Sequence, residues 1–520
     1  MQTTSFNMFQ ALREAFPDDL DSIAVETDEA LFYTWRDLER GSAMLANYLQ
    51  SLDLPPDARI AVQVEKSVEA LLLYLATLRA GYVFLPLNTA YQSVEMAYFI
   101  GNAEPAVVVC TPSNFGWVSK LAFKAGTAWV FTLGDDRSGS LLQRAAHASD
   151  QHAVAFKAAD DVAVIIYTSG TTGRSKGAML THGNMLSNAR VLKDYWGWRS
   201  ADDGGDVLIH ALPIFHVHGL FVAIHAALIN GSKMIWCAHF EPKFVIEKMP
   251  QATVFMGVPT LYVRLLAEPT LTREAASQMR LFISGSAPLL LDTFKAWQER
   301  TGHTILERYG MSETVMLTSN PYRGERRGGT VGPALPGVEL RVLNDSGMAV
   351  AVGDIGGIEV KGPNVFVGYW RMPEKTLEDF TPDGFFKTGD VGKQDADGYV
   401  TIVGRSKDLI ISGGYNIYPA ELESFINDLP GVAESAVVGV ADPDLGEVGV
   451  AVVVPRVGAQ LDPGAVLSAL KATLAHYKVP KQCHVVADLP RNSMGKVQKN
   501  KLRERYGQSC MGSAFCQDKP

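Results

Sequence analysis

The stretch YTSGTTGRSKG, Tyr167 to Gly177, decides how this chain is read. It follows the apolar run Val162-Ala163-Val164-Ile165-Ile166, which reads as a buried strand. Small residues let backbone N–H groups come close to a polyphosphate, the hydroxyls add donors, and Lys176 adds a positive charge. The spacing is not that of the Walker loop: Lys176 lies three residues past Gly173 and is followed by Gly177 where that loop has Ser or Thr. Nor does a G-x-G-x-x-G dinucleotide fingerprint follow the strand. Taken alone, such a stretch is more ordinarily a solvated Ser/Thr/Gly surface loop, so its meaning depends on the rest of the chain.

At 520 residues the chain is too long for one core, and two or more domains are expected. Hydrophobic content of 47% with 20% charged residues describes an ordinary soluble globular protein. A net charge of -9 argues against a nucleic-acid surface, which would carry a basic excess. The five cysteines, Cys110, Cys237, Cys483, Cys510 and Cys516, are scattered without a C-x-x-C pair, so neither a zinc site nor a disulfide scaffold is indicated. A reducing, cytoplasmic setting follows as an expectation. The N-terminal residues show no signal core and the last residues no address signal. The longest apolar stretch, Val207 to Asn230, carries His210, His216, His218, His225 and Pro213, and reads as buried core with a polar lining instead of a membrane span.

Along the chain, helical and strand patterns alternate. Val68 to Gly81 has helical spacing and ends at glycine, while Val83–Leu87 and Ala106–Cys110 read as short buried strands. Leu281-Phe282-Ile283 is a strand entering the turn Ser284-Gly285-Ser286-Ala287-Pro288. From about 330 to 403 glycines and short strands multiply, which suggests a β-rich subdomain. Alternation then resumes: helices over Ala420–Asp428 and Pro463–Ala475, strands over Glu434–Val440 and Val448–Val454. The expected fold is therefore α/β: a large N-terminal domain (1–406) of α/β sheets plus the β-rich part, a smaller α+β C-terminal domain (407–506), and a loose tail (507–520).

Further segments carry unusual chemistry at separated positions. They are Glu307-Arg308-Tyr309-Gly310-Met311-Ser312-Glu313-Thr314, Thr388-Gly389-Asp390, Gly404-Arg405, Ser412-Gly413-Gly414-Tyr415-Asn416, and the basic loop Pro490 to Lys499 that contains Lys496. Each is weak alone, since a Thr-Gly-Asp is usually a turn and a lone lysine usually a solvated group. Together and in this order, with EKSVEALLLYLATLRAG, IFHVHGLF, GVPTLYVRLL, ISGSAPLL and ERYGMSET, the chain resembles the adenylate-forming superfamily. That superfamily comprises acyl-CoA synthetases, luciferases and peptide-synthetase adenylation domains, and within it the resemblance is greatest to malonyl-CoA synthetases. It covers essentially the whole chain, from about Glu65 to Lys499. One departure is Ser175, where most of the superfamily has proline in its loop. The substitution removes no donor from the loop.

The resemblance implies a reaction and assigns roles to residues. ATP converts a carboxylate to an acyl-AMP, and the thiol of CoA then displaces AMP. Two anions meet in the first step, so positive charge must sit between them. That role is implied for Lys496. The loop residues Thr168, Ser169, Gly170, Thr171, Thr172, Gly173 and Lys176 are implied to hold the phosphates that leave as pyrophosphate. Mg²⁺ needs a hard oxygen ligand, and Glu313, with Thr168, matches the family position. The ATP site further takes in Gly285, Ser286, Ala287, Glu307, Arg308, Gly310, Met311 and Ser312. Tyr309 would stack on adenine, and Asp390 would accept from the ribose hydroxyls with Arg405 helping. The C-terminal domain is implied to swing about a hinge at Lys407. One orientation presents Lys496, and the other presents the turn Ser412, Gly413, Gly414 and Tyr415 beside a pantetheine tunnel, where glycine lets the thiol arm pass near backbone.

His216 matches a position that lines the acyl site. A His-x-His run could instead suggest a metal, but no carboxylate or cysteine partner lies at ligand spacing. Substrate choice turns on arginines. Arg264, in the apolar helical run Val258–Leu266, and Arg308 could pair the second carboxylate of malonate, whose unpaired burial would cost several kcal/mol. Ser286 and His216 complete the implied acyl site. The expectation is that Arg264→Ala loses malonate activity by at least about 10²-fold, and that methylmalonate is a second substrate, since one methyl is worth only about 1–3 kcal/mol. Two other readings stand beside this: a synthetase for another short or aryl carboxylate, and an adenylation protein loading a carrier protein, although no carrier domain follows Lys499. Neither nucleic acid nor membrane is an expected partner, and a monomer and a homodimer are both compatible.

Overall fold

The computed structural model describes residues 4–168, 175–412, 415–442, 445–474, 476–492 and 495–511. The chain forms two compact units: residues up to Leu340 with Val360–Phe386, and Arg341–Glu359 with the residues from Lys387 onward. The α/β fold with a large and a small part is as expected.

The first unit holds two sheets. In the six-stranded sheet the strands run Trp129–Thr132, Val107–Cys110, Arg59–Gln63, Val83–Pro86, Val162–Thr168 and Lys176–Thr181 across its width. All pair in parallel except the last, which is antiparallel to Val162–Thr168. The eight-stranded sheet runs Thr318–Ser319, Leu306–Tyr309, Leu281–Ser284, Val254–Gly257, Val207–His210, Lys233–Trp236, Ile23–Thr27 and Phe32–Thr34. Its centre is parallel and its two edges antiparallel. Parallel strands need helical crossovers, which bury both faces and explain why these strands read as continuous apolar runs.

The helix Val68–Arg79 is buried along its whole length. Ser67 caps it by accepting from the Ala70 N–H, and Gly81 follows its end at φ +79°. A helix apolar on every side must have neighbours on every side. One is the helix Trp35–Gln50. Another is the His218–Leu228 segment, where Tyr74 Oη lies 2.6 Å from His225 Nε2. Of its two charged residues, Glu69 accepts from Tyr33 Oη at 2.6 Å, and Arg79, 2% exposed, is satisfied by the Glu39 carboxylate and carbonyl and by the His152 carbonyl.

The stretch Val207 to Asn230 is core, as read from sequence. After the strand Val207–His210 the chain makes a wide π turn over His218–Ile224 and continues as helix through Leu228. Among the described residues no helix is long and apolar enough to cross a membrane. Cys110, Cys237 and Cys483 are free thiols.

In the second unit, the strands Val432–Asp442 and Gly446–Pro455 pair antiparallel. Their alternate residues serve two cores. Val437, Ala451 and Val453 pack with Leu422 and Ile426 of the helix Pro419–Asn427 and with Val466 and Leu470 of Pro463–Thr473. Val438, Val440, Val450 and Val452 pack on the other face with Leu502 and Tyr506 of Lys499–Met511. That last helix carries on past Gly507, where sequence suggested a loose tail. The cost of about 1 kcal/mol for an interior glycine does not stop it, because Leu502 and Tyr506 already anchor it. Residues 512–520 lie outside the described residues. The β-rich part is a four-stranded sheet of Glu339–Leu343, Gly356–Lys361, Phe386–Gln394 and Val400–Arg405. Much of it groups by contacts with the C-terminal residues. A hinge at Lys407 is a matter of motion and not of contacts.

Candidate active site

Two neighbouring parallel strands of the eight-stranded sheet, Leu281–Ser284 and Leu306–Tyr309, pair through Ile283 with Leu306 and Ser284 with Glu307. Both sequence motifs, Gly285-Ser286-Ala287 and Gly310-Met311-Ser312, therefore leave the same edge of the sheet. The carboxyl ends of parallel strands are where open α/β sheets bind ligands. Ser286 sits in the left-handed region at φ +71°, and a Cβ at Gly310 would lie 1.9 Å from the Val315 carbonyl oxygen. Both turns are thus held in conformations that the surrounding packing dictates.

Arg308 is 3% exposed and lies directly against the Gly285 turn: a Cβ at Gly285 would be 2.3 Å from its Nη1. Its Nε and Nη2 have no hydrogen-bond partner among the described residues. Burial pushes its pKa down to about 9, which leaves it cationic at neutral pH. Glu307, next to it on the strand, is also buried. Its Oε1 accepts from the Leu289 N–H at 3.1 Å, and burial pushes its pKa up to about 8. It is therefore largely a neutral acid at pH 7, and the pair is not an ordinary salt bridge.

The π turn brings His218 to this edge, with Nδ1 3.2 Å from Ser286 Oγ. His218 is fully buried, and that burial, with the charge of Arg308, holds its pKa well below the usual histidine value. Its Nε2 has no partner among the described residues. His216 is half-buried, and its Nδ1 accepts from the His218 N–H at 3.2 Å, which fixes the ring's orientation. A Cβ at position 219 would fall 2.0 Å from the Pro213 carbonyl oxygen, so the turn closes only on glycine. Arg264, in contrast, lies on the exposed face of the helix Pro259–Leu266. The two arginines named from sequence thus stand in different environments.

A second cluster flanks the glycine-rich loop. Thr168 and Lys176 face each other across antiparallel strands, so the element that begins at the lysine is a strand and not a helix. Lys176 Nζ lies 3.3 Å from Asp379 Oδ2 and 4.1 Å from the Tyr369 ring centre. Tyr369 Oη donates to Glu313 Oε1 at 3.1 Å, and burial followed by Glu313 and Asp379 raises the phenol's pKa. Ser175, the departure from the family pattern, is tied by its carbonyl to Tyr98 Oη at 2.7 Å. Ser169, Gly170, Thr171, Thr172 and Gly173 lie outside the described residues. Glu313 is 6% exposed. No group of three or more His, Cys, Asp or Glu side chains could hold a metal among the described residues. A single carboxylate suits Mg²⁺, which takes most of its ligands from phosphates and water.

Tyr309 is half-buried and pairs with Thr318, with Leu317 N donating to its carbonyl at 2.9 Å. In the second unit Asp390 and Arg405 are register partners, 2.6 Å apart as an ion pair, with Thr388 Oγ1 accepting from the Asp390 N–H at 3.0 Å. Ser412 ends a strand and pairs with Tyr415. Gly413, Gly414 and the Tyr415 side chain lie outside the described residues. Lys496 is exposed in a tight turn closed by the Arg491–Val497 bridge. Sequence reasoning missed Tyr369 and Asp379; Asp379 lies 203 residues after Lys176, and neither carries a local signal. It saw His218 only as half of a His-x-His pair.

Residues 12–370 match the AMP-binding enzyme family and residues 421–496 the AMP-binding enzyme C-terminal domain, and the chain belongs to the AMP-binding enzyme family. It is 38% identical to the malonate–CoA ligase of Arabidopsis thaliana over 86% of this chain and 78% of that protein. It is also 36% identical to a feruloyl-CoA synthase of Amycolatopsis over 91% of this chain and 94% of that protein. The crystal structure of ATP-bound MatB from Rhodopseudomonas palustris superposes with a TM-score of 0.94 at 54% identity, covering 98% of this chain and all of that one.

Proposed function

We propose that this protein is an ATP-dependent malonate–CoA ligase. A malonate carboxylate oxygen attacks the α-phosphorus of ATP, the bond to the β-phosphate breaks, and pyrophosphate leaves. The CoA thiol, on losing its proton, then attacks the acyl carbon of malonyl-AMP and AMP departs. Similarity over the whole chain does not choose between a diacid and an aryl acid, since relatives of both kinds match. The buried Arg308 supports the diacid. Its two unsatisfied donors sit at the carboxyl edge of the sheet, and a buried guanidinium is stable only with an anion to complete it. The second carboxylate of malonate supplies that anion through bidentate pairing. Arg264 contributes from the exposed side, and Ser286 and His216 line the same acyl site.

Lys496 supplies the cation for adenylation, Lys176 and the hairpin loop hold the β- and γ-phosphates, and Asp390, Arg405 and Tyr309 bind the nucleoside. Glu313 and Thr168 are the residues that would hold Mg²⁺, which supplies charge neutralisation to the leaving pyrophosphate. Rotation about Lys407 would bring the Ser412–Tyr415 turn into use for the thiol step. Methylmalonate is a second substrate in this reading, and the setting is cytoplasmic. The test is acid-dependent exchange of labelled pyrophosphate into ATP with malonate, methylmalonate, acetate, succinate and 4-coumarate. Malonate should give the highest kcat/KM; preference for acetate or 4-coumarate overturns the diacid assignment.

A further inference from the structure

We propose that Arg491 is a positioning residue for adenylation, acting by fixing the turn that carries Lys496. This rests on the role given to Lys496 above. Lysine has a long, rotamer-rich side chain, and Lys496 is exposed. A cation that must meet developing charge needs a fixed base, because electrostatic stabilisation works only when it is organised in advance.

The turn is tied at three levels. The Arg491–Val497 bridge closes it at its base. Asn492 binds both backbone polar groups of Lys496: its N–H donates to the Lys496 carbonyl at 2.9 Å, and its Oδ1 accepts from the Lys496 N–H at 2.9 Å. Gly495, immediately before the lysine, takes φ +74° and donates to the Asn492 carbonyl at 2.9 Å. Those two ties are local and would let the whole turn swing as a unit. Arg491 removes that freedom. Its Nη1 donates to the Gly495 carbonyl at 2.7 Å, while Nη2 pairs with the Glu434 carboxylate on the strand Val432–Asp442. One planar guanidinium thus connects the residue before Lys496 to the sheet. Glu434 pairs in register with Val454, so the anchor belongs to the most extensively paired strands of this unit. Lysine could pair with Glu434 but could not fork to the Gly495 carbonyl in the same geometry.

A residue that acts through Lys496 should matter to the half-reaction that uses Lys496 and not to the other. The experiment measures malonate-dependent pyrophosphate exchange and, separately, CoA-dependent conversion of added malonyl adenylate, for Arg491→Gln, Arg491→Lys, Glu434→Gln and Lys496→Ala, with Tm for each. Arg491→Gln should lower the exchange kcat by about 10–100-fold, the scale of a small misplacement of a catalytic group. Its KM values for malonate and ATP, and its thioester-forming rate, should stay within about twofold of the parent. Arg491→Lys and Glu434→Gln should fall between the parent and Arg491→Gln. Equal losses in both half-reactions, or no loss in either, overturn the inference. Lys496→Ala keeps the two ideas apart: if it alone abolishes exchange, only the positioning role of Arg491 falls, and if it leaves exchange intact, the role of Lys496 falls first.

Discussion

Arg308→Leu replaces a buried guanidinium, two of whose donors have no partner among the described residues, with an apolar side chain of related length. Malonate kcat/KM should fall by at least about 10²-fold, as for a truncated partner of a buried charge pair. Thermal unfolding should show the variant as stable as the parent or more so, by up to about 1–4 kcal/mol, because an uncompensated buried charge is removed. A loss of both activity and stability would mean that Arg308 is structural. Arg264→Ala should cost less than Arg308→Leu, because an exposed ion contact is screened by water. Glu307 makes a pH prediction. Its pKa is raised from 4.5 to about 8, so across that window the folded protein holds a proton that the unfolded chain has released. Stability conferred by the neutral acid is full below the lower value and is lost as pH rises through the upper one. Arg308 stays protonated throughout, since its own value is about 9. Glu307→Gln should therefore flatten Tm between about pH 5 and 8; an unchanged slope refutes the assignment.

At the scale of elements, the π turn His218–Ile224 is the feature that most shapes the proposed acyl site. It sets His218 against Ser286, and it closes only because residue 219 is glycine. Gly219→Ala would force the Pro213 carbonyl aside at an expected cost of about 1–3 kcal/mol, the range for overpacking a tight site. KM for malonate should rise more than KM for ATP, which steady-state kinetics with each substrate varied would report. Equal rises would place the turn outside the acyl site. The hairpin around the glycine-rich loop teaches a related lesson. Its residue types suit phosphate binding, yet a strand begins at Lys176, so the helix dipole that serves other phosphate loops is not available from that element. Lys176 is held instead beside Asp379 and the Tyr369 ring.

At the scale of the molecule, two compact units divide the residues proposed for the reaction: Arg308, Ser286, Lys176 and Glu313 in the first, and Asp390, Arg405, Ser412 and Lys496 in the second. ATP binds the folded protein and not the unfolded chain, so it should raise stability by about 2.7 kcal/mol at a hundred times its Kd. Thermal unfolding across an ATP titration checks this, and a Tm independent of ATP would contradict the nucleotide site.

Amino-acid order alone determined the strands that became the centre of each sheet, the buried helix Val68–Arg79 and the motifs that name the family. Each of these is a local pattern: an apolar period, a cap, or a run of residue types that the chemistry requires at fixed spacing. Tertiary structure alone decided that Arg308 is buried with donors unpaired while Arg264 faces solvent, that Tyr369 and Asp379 join Lys176, and that the chain widens into a π turn at His218. These depend on which distant segments pack together and on how much water they exclude, quantities that no window of sequence contains.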